Sequence, residues 1–197
     1  MKEDTKTNII NTAIKLFAEK GFSDTSMSQI ANNADVGKGT IYWHFDSKED
    51  LFLSIIREKG QSYFEKVLKL NKSNLNPEEV IYQYIKDRIE FIENNYEVAR
   101  MLINNNDVIN REFKEIMQNR HQQMVSVLEN TINKGIEKGV FRNGNSDEYA
   151  LMIINAANSA HNNFSCCLKG DIEEKTKKIY DFIMHGLDRR EASDEKK

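Results

Sequence analysis

The sequence predicts an all-α protein of about nine helices, on three observations. One Pro and nine Gly in 197 residues leave long stretches without a breaker. Apolar residues recur through those stretches at spacings of three and four, the period of a helix with one buried side. The stretches open on Ser, Asn or Pro and close on Gly, which is the punctuation of helices rather than strands.

The elements follow in order. Residues 5–20 carry Ile9, Ile10, Ala13, Ile14, Leu16 and Phe17 on a broad apolar side, with Gly21 as the C-terminal cap and Phe22 folding back. Ser26, with Gln29 three residues on, reads as a capping box, and Met27, Ile30, Ala31 and Ala34 form the inner side of a second short helix. Asp35 tolerates a left-handed turn, Val36 plugs it, and Gly37 opens a third helix with Ile41 and Phe45 inward. Ser47 with Asp50 starts a helix that runs to about Leu70. NKSNLNP is the one clear break, after which Asn76, Pro77 and Glu79 begin a helix to about Asn94. Residues 96–103 are a short helix and NNND a loop. A long helix over 108–138 closes at Gly139, with VFRNGNS as the turn. Asn145 with Glu148 opens a helix over 147–168, and 172–187 is the last. The tail over 191–197 is highly charged and expected to be disordered.

Composition excludes several classes. No stretch approaches a membrane span, and the first ten residues lack the apolar core of a signal peptide, so a cytoplasmic protein is expected. Net charge is −3, and residues 1–50 hold six Lys against eight acids, which argues against indiscriminate nucleic-acid binding. VGKGT lacks two requirements of a phosphate-binding loop: Asn32 replaces the first Gly, and Gly39 follows the Lys where Ser or Thr is needed. Four His, at 44, 121, 161 and 185, form no catalytic constellation, so no enzyme is expected. Cys166 and Cys167 are neighbours that a reducing compartment keeps as thiols; with His161 they lack a tetrahedral metal set, so structural burial, no metal and no cofactor are expected.

The informative stretch is residues 26–48. Two short helices across a tight turn are the plan of a helix-turn-helix, though any helical bundle can contain such a pair. The outer side of the second helix decides the matter. Lys38, Thr40, Tyr42, Trp43 and His44 crowd where a solvated helix would carry Glu, Lys and Gln. Exposed aromatics cost solubility unless something covers them, and phosphates and base edges are a natural cover. Free backbone N–H groups and hydroxyls at Thr25 and Ser26 are a further phosphate-holding position.

DVGKGTIYWHFDSKEDLF resembles the recognition-helix signature of the tetracycline-repressor (TetR) family of bacterial regulators, and TNIINTAIKLFAEKGFSDTSMSQIANNA resembles its first two helices. The resemblance covers roughly the first quarter of the chain. Two positions depart from the pattern: Asp35 stands where the family usually has Gly, and Gly37 where it usually has Ser. Gly37 offers no side chain to a phosphate, so no Ser-type contact is carried over to it. The resemblance implies a DNA-binding domain at 1–47 and a helical ligand-binding and dimerisation bundle at 48–190. It implies a DNA-facing set of Thr25, Ser26, Ser28, Gln29, Lys38, Gly39, Thr40, Tyr42, Trp43, His44 and Lys48, the last as a phosphate clamp.

In the second part, Met152, Ala156, Ser159, Ala160 and Asn163 form a face of small side chains that permits close helix approach. Ile179, Phe182, Ile183 and Gly186 match it on the last helix. Such faces serve ordinary bundle packing; the resemblance implies a four-helix homodimer interface. The middle helices would then enclose an unidentified small hydrophobic ligand. Candidates to line its pocket are Tyr82, Phe91, Met101, Met117, His121, Met124, Asn155, Asn158, His161, Asn162 and Phe164, each of a type that more often serves as ordinary core, interface or surface. The function expected is a homodimeric transcriptional repressor, released from a palindromic operator in double-stranded DNA by that ligand. The alternative is a DNA-binding adaptor of the same fold, controlled by a protein partner.

Overall fold

A computed structural model of the chain describes residues 2–98, 101, 111–159 and 168–187. Among them stand eight helices and no strand: α1 (Lys2–Lys20), α2 (Met27–Asn33), α3 (Lys38–His44), α4 (Lys48–Leu70), α5 (Pro77–Asn94), α6 (Arg111–Glu137), α7 (Ser146–Ser159) and α8 (Ile172–Leu187). Residues 96–98 and 101 are also helical, where a short helix was expected. No helix among the described residues is long and apolar enough to cross a membrane.

The chain divides into two compact units, Met1–Ser62 with Asn95–Met117, and Tyr63–Asn94 with Gln118–Lys197. In the first, α1, α2, α3 and the start of α4 share one core. Its centre is an aromatic cluster: Phe17, Phe22 and Phe52 stand 5.3–6.0 Å apart, tilted or edge-on. Such pairs contribute about 0.5–1.5 kcal/mol each beyond the area they bury. Gly21 ends α1 at φ +89°, its amide donating to the Phe17 carbonyl, which turns Phe22 back onto Phe17. α1 begins three residues earlier than its apolar periodicity indicates, because Lys2–Asp4 carry no apolar residue to mark it.

The caps of α2 are local and complete. Ser26 Oγ accepts from the Gln29 amide and the Gln29 side chain accepts from the Ser26 amide, at 3.2 and 2.7 Å. Asp35 takes φ +54°, and the Val36 amide donates to the Ala31 carbonyl while its side chain packs on the core. Asn8 Nδ2 ties the turn to α1 through the Ala34 carbonyl at 2.8 Å. Gly37 caps α3 at an ordinary φ of −67°. At α4, Ser47 Oγ accepts from the Asp50 amide.

In the second unit, α5 packs against both α7 and α8. Asn76 and Glu79 form a reciprocal cap with both bonds at 2.9 Å, and Pro77 takes the first helical position. α6 closes on Gly139 at φ +71°, and the Phe141 ring returns against Gly135 so closely that a Cβ there would meet it at 2.1 Å. α7 opens one residue before the sequence suggests, with the Glu148 amide donating to the Asp147 carboxylate rather than to the Asn145 side chain. The backbone amide of Arg142 donates to the Leu187 carbonyl, pinning the end of α8 to the turn after α6.

Candidate functional site

The outer side of α3 presents two large rings to solvent. Tyr42 and Trp43 are 53% and 64% exposed, while Ile41 and Phe45 are buried beneath them. Lys38 and Gly39 are exposed, and Thr40 and His44 half-buried. His44 lies edge-on to Trp43 with centroids 4.5 Å apart, which restricts both rings. A seven-residue helix thus carries an exposed lysine, phenol and indole and a half-buried hydroxyl over the buried Ile41 and Phe45.

Beside it is a shallow polar depression of about 480 Å³, lined by Ser23 to Ser28, Tyr42, Asp46, Ser47 and Lys48. It brings together Thr25, Ser26, Ser28, Tyr42 and Lys48 of the expected DNA-facing set. Asp24 and Asp46 lie in the same depression, so its charge is mixed rather than basic. The Ser26 hydroxyl and the Gln29 side chain are engaged in their mutual cap.

Two expected phosphate contacts have other work. Thr25 is 1% exposed, and its hydroxyl donates to the Gly21 carbonyl at 2.7 Å, with the Leu16 carbonyl at 3.4 Å. Its side chain is therefore a brace between α1 and α2, with no free donor at the surface. Lys48, the expected phosphate clamp, donates from its ammonium to the Phe22 and Thr25 carbonyls at 2.6 and 2.7 Å and lies 4.3 Å from the Phe22 ring centroid. It holds the loop before α2 in place. Sequence could not show this, because the partners lie 23 and 26 residues away.

The described ligand candidates fall in both units. Met101 is fully buried in the core of the first unit, and Met117, on α6 in that unit, is exposed. In the second unit His121 and Asn155 are exposed, and Tyr82 bonds Glu173 and stands edge-on to Tyr180 near the surface. Met124 packs on the core there. Phe91 and Asn158 do meet a common residue, Arg88: Phe91 faces its guanidinium at 5.7 Å, and Asn158 Oδ1 accepts from its Nε at 2.7 Å. Arg88, Tyr63 and Tyr84 are not among the expected candidates, because helical periodicity groups them with the core. An arginine inside an apolar stripe was the available signal.

Of the interface candidates, Met152 and Phe182 are 63% and 79% exposed and flank an apolar groove of about 350 Å³. Ala156, Ile183 and Gly186 also line it, and Ser159 is exposed at the end of α7. Ile179 is instead buried in the unit's own core. Ala160, His161, Asn162, Asn163, Phe164, Cys166 and Cys167 lie outside the described residues, as does the charged tail.

Comparison with known proteins gives this arrangement its context. Residues 9–55 match the family described as bacterial regulatory proteins, tetR family, and residues 74–187 match the tetracyclin repressor-like C-terminal domain. The HTH-type transcriptional repressor NicS of Pseudomonas putida is 26% identical over 94% of this chain and 93% of its own. The HTH-type regulator YuxN of Bacillus subtilis is 36% identical over 99 residues, and there the match spans only 34% of that protein's length. A solved tetR-family regulatory protein from Rhodococcus RHA1 shares the fold at TM-score 0.81 and 19% identity, over 95% of this chain and 98% of that one. With matches to both its N-terminal and C-terminal domains, the chain belongs to the TetR family of bacterial transcriptional regulators.

Proposed function

We propose that the chain is a cytoplasmic homodimeric repressor whose paired α3 helices enter successive major grooves of a palindromic operator, about 34–36 Å apart. The observation that carries this is the exposure of Tyr42 and Trp43 on a helix whose opposite side is fully buried. Lys38, Thr40 and Tyr42 approach bases and phosphates, Trp43 and His44 pack along the backbone, and Ser28 touches from α2. Lys48 and Thr25 contribute by fixing the loop that presents α2. A short recognition helix reads few base pairs, so two-fold pairing is needed for a specific site. The Met152–Phe182 face supplies an apolar surface for that pairing.

A small ligand held in the second unit releases the operator, provided it binds the DNA-free state better than the DNA-bound one. The test is fluorescence anisotropy with the chain's own upstream DNA, titrated with salt and repeated on scrambled DNA. Tight binding of one dimer to the native sequence alone is expected. Equal affinity for both sequences across the salt range would contradict a specific regulator.

A further inference from the structure

The second unit buries two tyrosine hydroxyls. Tyr63 is 6% exposed and Tyr84 is fully buried, and among the described residues neither hydroxyl has a hydrogen-bond partner. The two oxygens lie near each other, and that of Tyr63 lies near the Arg88 guanidinium. Burying a hydroxyl unpaired is costly, so two side by side mark a place where something else supplies the partner.

Arg88 stands at the same place. Its guanidinium is 5.4 Å from the Tyr63 ring centroid and 5.7 Å from that of Phe91, and these two rings are stacked at 4.8 Å. Asn158 accepts from Nε and so fixes the plane of the group, whose terminal nitrogens lie on the side of the Tyr63 hydroxyl. Among the described residues no carboxylate lies within 4.0 Å of Arg88. Its neighbour Asp87 has its own partners, Gln83 at 3.0 Å and Lys66 at 3.7 Å. A half-buried, oriented guanidinium with no carboxylate beside it among the described residues, next to two buried hydroxyls, has the donors an anion needs. The planar fork suits a carboxylate, which accepts two parallel N–H bonds and has lone pairs left for phenols.

We infer that Arg88, Tyr63 and Tyr84 bind the carboxylate of a small organic acid whose apolar body lies along the Tyr63–Phe91 ring pair. This rests on the reading that the second unit takes a small ligand, and names the chemical class of that ligand.

The experiment is calorimetric titration and thermal unfolding of the DNA-free full chain with octanoate and benzoate, each against its neutral amide, octanamide or benzamide. The acids should bind at least tenfold more tightly than the amides, and Arg88→Met should erase that difference. Tyr63→Phe and Tyr84→Phe should each raise the unfolding temperature without ligand, since an orphan hydroxyl is removed, while weakening the acids several-fold. Equal binding of acid and amide, undiminished acid binding by Arg88→Met, or failure of both acids to bind would overturn the inference. So would Phe variants less stable than the parent, which would show the hydroxyls to be paired. Because no DNA is present, such failures leave operator binding untouched, and loss of operator binding alongside intact acid binding would count against the repressor reading instead.

Discussion

The ammonium group of Lys48 donates to the main-chain carbonyl of Thr25 at 2.7 Å, across 23 residues of sequence. This bond joins the first turn of α4 to the loop that presents α2, and a second, to Phe22, shares the load. The residue at the edge of the proposed DNA surface is thus a strut. Hydrogen bonds from charged groups contribute about 1.5–3 kcal/mol, so Lys48→Met should lower stability by about that amount. It should weaken operator binding without changing the salt slope. Lys38→Ala should do the reverse: stability stays constant, and the slope of log K against log salt falls by about 0.9 for one lost phosphate contact. Salt titrations of both variants, with thermal unfolding, separate the two roles.

Dimerisation is tested on the exposed apolar face. Met152 and Phe182 bury little within their own unit, so Met152→Glu with Phe182→Glu should leave helix content unchanged. Like charges facing each other across a two-fold should raise the dimer dissociation constant by about 100-fold or more, the scale of a lost hot spot. Sedimentation equilibrium measures this directly. An unchanged dimer would place the interface elsewhere.

Gly135 lies in an ordinary helix, where Ala would normally be favoured by about 1 kcal/mol. Here a Cβ would stand 2.1 Å from the Phe141 ring, so Gly135→Ala should destabilise the second unit by about 1–3 kcal/mol through overpacking. Denaturant unfolding gives the sign. A stabilised variant would mean that Phe141 moves aside freely.

Asp87 gives a dependence on pH. Burial of its carboxylate raises its pKa above the ordinary aspartate value, more than the Gln83 hydrogen bond and the Lys66 charge lower it, and Glu90 adds to the rise. The folded state therefore holds this proton more tightly than the unfolded chain. Its stabilising contribution is complete below the unfolded pKa of about 3.9 and is lost as pH rises through the folded value. Asp87→Asn, which keeps an oxygen for Gln83, should raise the unfolding midpoint at pH 7 and flatten its rise on acidification. A lower midpoint at pH 7 would show that the Lys66 pair outweighs burial.

What the sequence revealed and concealed divides by range. The caps at Ser26 and Asn76 and the stop at Gly21 were legible because donor and acceptor lie within a turn of each other. The turn at Asp35 was legible because few side chains tolerate φ > 0. Thr25 misled, since a hydroxyl at a helix mouth looks the same whether it faces water or the Gly21 carbonyl. Ile179 and Phe182 stand three apart on one helix, so periodicity puts them on one side, yet the first is buried and the second is 79% exposed. The edge of a buried stripe is set by neighbouring helices, not by spacing. Arg88, Tyr63 and Tyr84 were concealed for the same reason.

The central claim is that α3 reads the operator, and Tyr42→Ala tests it most directly. With more than half its surface exposed, Tyr42 can be truncated with little effect on the core. Anisotropy with the chain's upstream DNA should show specific affinity falling at least tenfold, about 1.4 kcal/mol, while dimer mass and unfolding temperature stay at the parent values. Operator affinity equal to the parent's, from a folded dimeric Tyr42→Ala protein, would contradict the account.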